Sequence, residues 1–182
     1  MKSDVTIMDF TGIYEKERFY RGVHVHWIDC RDIQGTNCYC DEEGEQALRR
    51  KIAPFSAEAI HFIDSGNYHY MTKLWTEKLQ EPFVLAVADH HPDMQPPLFQ
   101  ELLSCGCWVN RVLEENPYVK KVGWCPVYPG NRSNAHGRPG KARLPGMTVG
   151  RTVFPKICPS ICPLIRISFL PLRYIPIGSR AH

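Results

Sequence analysis

The first 122 residues predict an α/β domain built on a parallel sheet with helices on both of its faces. Short β-rich runs alternate with amphipathic helical patterns from residue 5 to residue 122, the order that lays successive strands side by side through helical crossovers. The run "PFVLAVAD" at 82–89 is apolar at almost every position, as a strand covered on both faces requires. A change in composition then bounds the domain. Residues 1–122 hold all 19 acidic residues and 13 of the 22 basic ones, a net of −6, whereas residues 123–182 hold nine basic residues, no Asp or Glu, and nine of the 15 prolines.

Taken in order, "VTIMDF" (5–10) and "GVHVHWID" (22–29) are strands, the second with apolar alternation at Val23, Val25 and Trp27. "DEEGEQALRRKIAPF" (41–55) is a helix, because its acidic start and basic end complement the helix dipole and Pro54 closes it. "AIHFIDSG" (59–66) is a strand running into a glycine turn, and "YHYMTKLWTEKLQ" (68–80) an amphipathic helix. After the strand at 82–89, "PLFQELLSCGCWVNRVLEEN" (97–116) fits a helix that Pro117 ends, and "YVKKV" (118–122) opens another strand.

A chain of 182 residues, 43% hydrophobic and 23% charged, fits one domain with a real core. Asp4 and Asp9 interrupt what would be the apolar region of a signal peptide. The most apolar late stretch contains Arg166, Arg173 and prolines, so it lacks the roughly 20 uninterrupted apolar residues of a membrane span. We therefore expect a soluble cytoplasmic protein with no membrane partner, its eight cysteines reduced and mostly structural. Beyond Val122 no helical period is sustained. Residues 123–182 read either as a basic irregular tail, whose functional form would be contact with nucleic acid or an anionic surface, or as the product of a shifted reading frame or misassembled gene end. Its wealth of Ile, Leu, Phe and Cys is unlike an ordinary disordered tail.

The chemistry gathers at "VADHHPDMQ" (87–95). Ligands of open parallel sheets sit beyond the carboxyl ends of the strands. Alternate residues of an extended segment face one way, so Asp89, His91 and Asp93 would converge while His90 points away. Carboxylates with imidazole suit Mn²⁺ first, then Fe²⁺ or Zn²⁺. The plainer alternative is a solvated polar loop after a strand.

These residues resemble a known family. "VADHHPDMQ" is similar to the Asp-Ala-His-x-Asp motif of the ureohydrolases (arginase, agmatinase and formiminoglutamase), and "DSGNYHY" (64–70) looks like that family's Gly-Gly-Asp-His-Ser loop, with His69 in the histidine's place 20 residues before Asp89. The likeness covers about residues 20–122. It implies the first half of a three-layer α/β/α fold with a parallel sheet. It also implies that His69, Asp89 and Asp93 serve one manganese ion, that Asp89 and His91 serve a second, and that Asp89 bridges them as the catalytic pair with His91. The implied activity is hydrolysis of a C–N bond in a small guanidino or amidine substrate. Departures are plain as well: Ser65 and Tyr68 replace the first Gly and the Asp of the loop motif, and Cys105 with Gly106 occupies the place of a His-Gly segment that lines the family's pocket. The family's second pair of aspartates has no counterpart, since no acidic residue follows Glu115; Asp29, Asp32 and Asp64 are the remaining candidates. Two metals, one or none are thus all compatible with this chain, and little turnover is expected. Half of a sheet would leave an unpaired edge and favour self-association into homo-oligomers. The rival reading is a non-catalytic metal- or nucleic-acid-binding protein with a degenerate site and a basic tail; of the two partner classes, a small-molecule substrate is favoured over nucleic acid.

Two further patterns carry less. The C-x-C pairs Cys38/Cys40 and Cys105/Cys107 are closer spaced than structural zinc sites prefer. His24 and His26 share a strand face but have no carboxylate at ligand spacing.

Overall fold

The computed structural model describes residues 5–97, 99, 102–126 and 168–171, with backbone alone at 125–126 and 168–171. Its elements are β1 (Val5–Asp9), β2 (Val25–Asp29), β3 (Tyr39–Cys40), α1 (Glu42–Ile52), β4 (Ile60–Ile63), a 3-10 turn (Gly66–Tyr68), α2 (Met71–Thr76), β5 (Phe83–Asp89), β6 (Leu103–Ser104), α3 (Trp108–Glu115), β7 (Val119–Pro126) and β8 (Ser168–Pro171). The α/β class is as the sequence predicts. The strands form a three-stranded sheet in the order β2-β1-β4, a two-stranded ribbon of β3 and β6, and a second three-stranded sheet in the order β7-β5-β8. β1 pairs parallel with both of its neighbours, from Val5 opposite Val25 and Ile60 onward. β5 is parallel to β7 and antiparallel to β8.

Every residue of β1 is buried, as suits a central strand. In β5, Phe83, Leu85 and Val87 are buried and the residues between them half-buried. α1 forms where its ends are best satisfied: Asp41 caps it by accepting from the Gly44 backbone N–H at 2.7 Å, Glu42, Glu43 and Glu45 fill the first turn and Arg49, Arg50 and Lys51 the last. Its inward face is Gly44, Glu45, Leu48 and Ile52. Gly35, at φ +70°, lies so close to the Asp41 carboxylate that a Cβ there would collide with it, so the cap depends on that glycine.

Two expected elements differ. The helix expected over 97–116 is present only from Trp108 to Glu115; Leu103 and Ser104 pair instead with Cys40 and Tyr39, and a turn at 105–107 follows. Residues 98, 100 and 101 lie outside the described set. The helix expected over 68–80 is a 3-10 turn and the short α2. β7 runs through Val122 to Pro126, so the compositional boundary falls inside a strand. The tail readings otherwise concern residues 127–167 and 172–182, which lie outside the described residues. Among the described residues no helix is long and apolar enough to cross a membrane.

The core joins both sheets to the helices: Met8, Ile28, Leu48, Tyr70, Leu74, Trp75, Leu85, Trp108 and Val109 belong to one buried cluster. Within it, the His61 ring stacks on Trp75, centroids 3.7 Å apart. His61 Nε2 lies 3.2 Å from the Ala57 carbonyl, which can only accept, so that nitrogen carries the proton and buried Nδ1 has no partner. Burial depresses the His61 pKa from 6.5 to about 4. The unfolded chain therefore binds a proton that the folded chain refuses between those values, and stability falls as pH drops from 6.5 towards 4. The expected loss is about 2 kcal/mol, reduced from the full shift by the ring's partial exposure. Urea unfolding at pH 7 and pH 4.5, compared with His61→Phe, checks this: the variant should lose less stability over that interval.

Candidate metal centre

β4 and β5 both deliver chemistry at their carboxyl ends. After β4 the chain turns through Asp64, whose φ of +23° is unusual for a non-glycine residue, and whose carboxylate accepts from the backbone N–H groups of Phe10 (2.9 Å) and Thr11 (2.8 Å). That anchorage fixes the turn into Gly66–Tyr68 and presents His69 at the head of α2. Tyr68, standing where the resembled motif has Asp, is instead core, stacked on Phe10 with centroids 4.1 Å apart.

β5 ends at Asp89, and the chain leaves the extended conformation at once. The Asp89 carboxylate accepts from the His91 backbone N–H at 3.0 Å, a local turn that asparagine and aspartate favour, and Asp93 adopts φ +50°. The alternation expected for an extended segment therefore does not operate past Asp89. His91 is carried out to solvent, with its ring against that of His90, while Asp93 is folded inward to 5% exposure. Among the described residues, the group of three or more potential ligands is His69, Asp89 and Asp93, whose ligand atoms all lie within 4.8 Å of one another. His91 stands outside it, and so do His24, His26 and the C-x-C thiols, which removes the four-thiolate zinc alternative from the described residues.

The imidazole sits between the two carboxylates: Nδ1 is 3.5 Å from Asp89 Oδ2 and Nε2 is 3.6 Å from Asp93 Oδ2. Nε2 also lies 2.7 Å from the carbonyl oxygen of Cys105. Because a carbonyl only accepts, Nε2 carries the proton, and in the neutral ring Nδ1 presents a lone pair to a carboxylate oxygen. Two acceptors facing each other inside a largely buried site are unfavourable unless a proton or a cation lies between them. That arrangement fits a divalent metal, with Cys105 holding the tautomer as second-layer partners of ligating histidines do.

Asp93 is held by two donors, the Trp108 Nε1–H to its Oδ2 at 2.8 Å and the Val109 N–H to its carbonyl at 3.1 Å. Burial raises the pKa of its carboxyl, against the lowering influence of His69 and the Trp108 bond. Asp89 is tied through its own carbonyl, which accepts from Trp124 Nε1 at 3.0 Å. Trp108 is fully buried, and its indole N–H also orients the Asp93 carboxylate. Trp108→Phe keeps the packing and removes the donor, so it should weaken Mn²⁺ binding by about 10- to 100-fold, measured by titration calorimetry against wild type. The three substitute carboxylates are occupied elsewhere. Asp29 pairs with Arg31 at 2.6 Å, which holds its carboxyl far below the usual range, Asp32 pairs with Lys51 at 2.8 Å, and Asp64 anchors the turn.

No protein-family profile and no solved structure matches the chain. It is 30% identical over 118 residues to an uncharacterized protein of Thermotoga maritima, a stretch covering 65% of this chain and 47% of that protein. The chain thus spans about half the length of the relative it matches.

Proposed function

We propose that His69, Asp89 and Asp93 are the first-half ligands of a ureohydrolase-type manganese centre, set in an arginase-like three-layer α/β/α fold, and that the chain's chemistry is hydrolysis of a C–N bond in a small guanidino or amidine molecule. The observation that carries this reading is the meeting of a tautomer-fixed imidazole, from the end of β4, with two carboxylates from the end of β5. The order of strand, glycine turn, histidine, helix, strand and Asp-x-His-x-Asp supports it.

Mn²⁺, when bound, supplies Lewis acidity that lowers the pKa of a water and polarises the substrate. The protein's own residues do the rest. Asp89 and Asp93 supply the negative charge that holds a cation, and the Cys105 carbonyl keeps the His69 proton on Nε2, leaving Nδ1 to ligate. Trp108 fixes the angle of Asp93. Asp89, and His91 with its ring turned in from solvent, would hold a second ion.

A second reading, metal binding without turnover, rests on one observation: no acidic residue follows Glu115, and Asp29, Asp32 and Asp64 are engaged elsewhere. One experiment separates the two. The full chain is incubated with Mn²⁺ and a panel of small guanidino and amidine compounds, and released urea, ammonia or formamide is measured. Slow release that disappears in Asp89→Asn supports the hydrolase; Mn²⁺ uptake with no release above a buffer control supports the second reading.

A further inference from the structure

The β3–β6 ribbon brings together two cysteines that neither metal reading uses. The register sets Tyr39 opposite Ser104 and Cys40 opposite Leu103, so the next pair outward is Cys38 opposite Cys105. The Cys105 N–H donates to the Cys38 carbonyl at 3.0 Å, while the Cys38 N–H turns to the Asn67 carbonyl at 3.2 Å, so one backbone bond joins the two residues just beyond the ribbon. Residues joined by a backbone hydrogen bond of this length keep their Cα atoms within about 6 Å, inside the range a disulfide spans. The two thiols are close enough to influence one another electrostatically, and both residues are free thiols and half-exposed.

We propose that Cys38 and Cys105 are a redox-responsive pair that closes into a disulfide under oxidising conditions, directly behind the metal-facing imidazole of His69. The chemistry is exchange with a low-molecular-weight disulfide. One thiolate attacks a sulfur of the oxidant and displaces the first thiolate from it. The second cysteine then attacks the protein sulfur of the mixed disulfide and displaces the other, so two protein thiols lose two electrons and two protons and one oxidant disulfide becomes two thiols.

Three features make the pair selective. Cys30 and Cys40 are buried, and burial pushes both thiols up to about 12, which keeps them protonated and inert. Cys107 is buried as well, which withholds it from an oxidant. Cys38 sits at φ +64°, a conformation that non-glycine residues adopt sparingly and that tends to persist at functional positions. The consequence for the site is local. The carbonyl that accepts from His69 Nε2 belongs to Cys105, so a disulfide pins the very group that sets the imidazole tautomer. The pairing rests on ribbon geometry and stands whether or not the metal reading does.

The test uses the full chain, treated with oxidised glutathione or with dithiothreitol, blocked with N-ethylmaleimide and mapped by peptide mass without reduction. The expected product is a cross-link between the peptides carrying Cys38 and Cys105. It should persist in Cys40→Ser and in Cys107→Ser, and vanish in both Cys38→Ser and Cys105→Ser. Oxidised wild type should also melt several degrees above the reduced form, a shift absent from those two variants. A cross-link that persists in Cys38→Ser, or Cys105 recovered from the oxidised sample as a glutathione or maleimide adduct, would overturn the proposal.

Discussion

Asp89→Asn should lower the affinity for Mn²⁺ by at least about 100-fold, more than the loss of an outer-layer partner costs, while leaving the fold in place. Asparagine keeps the shape and the acceptor that takes the His91 N–H, but it removes the charge that Nδ1 of His69 faces at 3.5 Å. His69→Ala and Asp93→Asn should follow the same course, because all three supply ligand atoms within one 4.8 Å group. His91→Ala should leave binding of the first ion within the scatter of the measurement, since its side chain stands in solvent outside that group. A His91→Ala loss as large as that of Asp89→Asn would mean that the turn at 89–93 rearranges on binding.

Lys73→Met is the second large effect, and it reads on stability. The Lys73 side chain is 8% exposed, with its ammonium 2.7 Å from Glu77, 2.8 Å from Glu115 and 3.8 Å from Glu45. Those carboxylates come from α2 or its end, α3 and α1, so a single buried cation ties three helices together. Arg49 reaches Glu45 at 2.6 Å and Glu77 at 2.8 Å, and Arg111 reaches Glu115 at 3.0 Å, which offsets part of the loss. The expected cost is about 2 kcal/mol, below the range for a fully buried pair because the Glu77 and Glu115 side chains are 32% and 42% exposed. Urea unfolding measures it; a change below about 1 kcal/mol would mean that the network behaves as an exposed, screened one.

The strands were legible because their signals are local. β1, β2, β4, β5 and β7 lie where β-rich runs meet turn residues, and α1 carries its cap and both charged ends in eleven residues. The helix expected over 97–116 misled because "ELLSCGCWV" has a helical apolar spacing, while the partner that claims Leu103 and Ser104 is Tyr39–Cys40, more than 60 residues away. Nothing near residue 103 in the sequence announces that pairing.

The site divides in the same way. Asp89 and Asp93 were found by their places at a strand end, His69 through the likeness of its loop to that of the ureohydrolases, and the structure brings the three together. The strand rule chose His91 equally, and it fails there because the Asp89 side chain captures the next turn and Asp93 takes a positive φ. The Cys105 carbonyl and the Trp108 indole could not be found this way. A backbone oxygen has no sequence signature, and a buried tryptophan reads as core until its N–H is seen to have a target. "SCGCW", which places both beside a predicted metal motif, was the available hint.

The most direct measurement is a Mn²⁺ titration of the full chain followed by the electron paramagnetic resonance signal of the free hexaaquo ion, with Asp89→Asn alongside. The account predicts that wild-type protein removes the signal in saturable fashion, reaching at least one ion per chain, and that Asp89→Asn leaves it unchanged over the same range. Equal uptake by the two proteins, or none by wild type at millimolar free Mn²⁺, would contradict the assignment of His69, Asp89 and Asp93 as a manganese site.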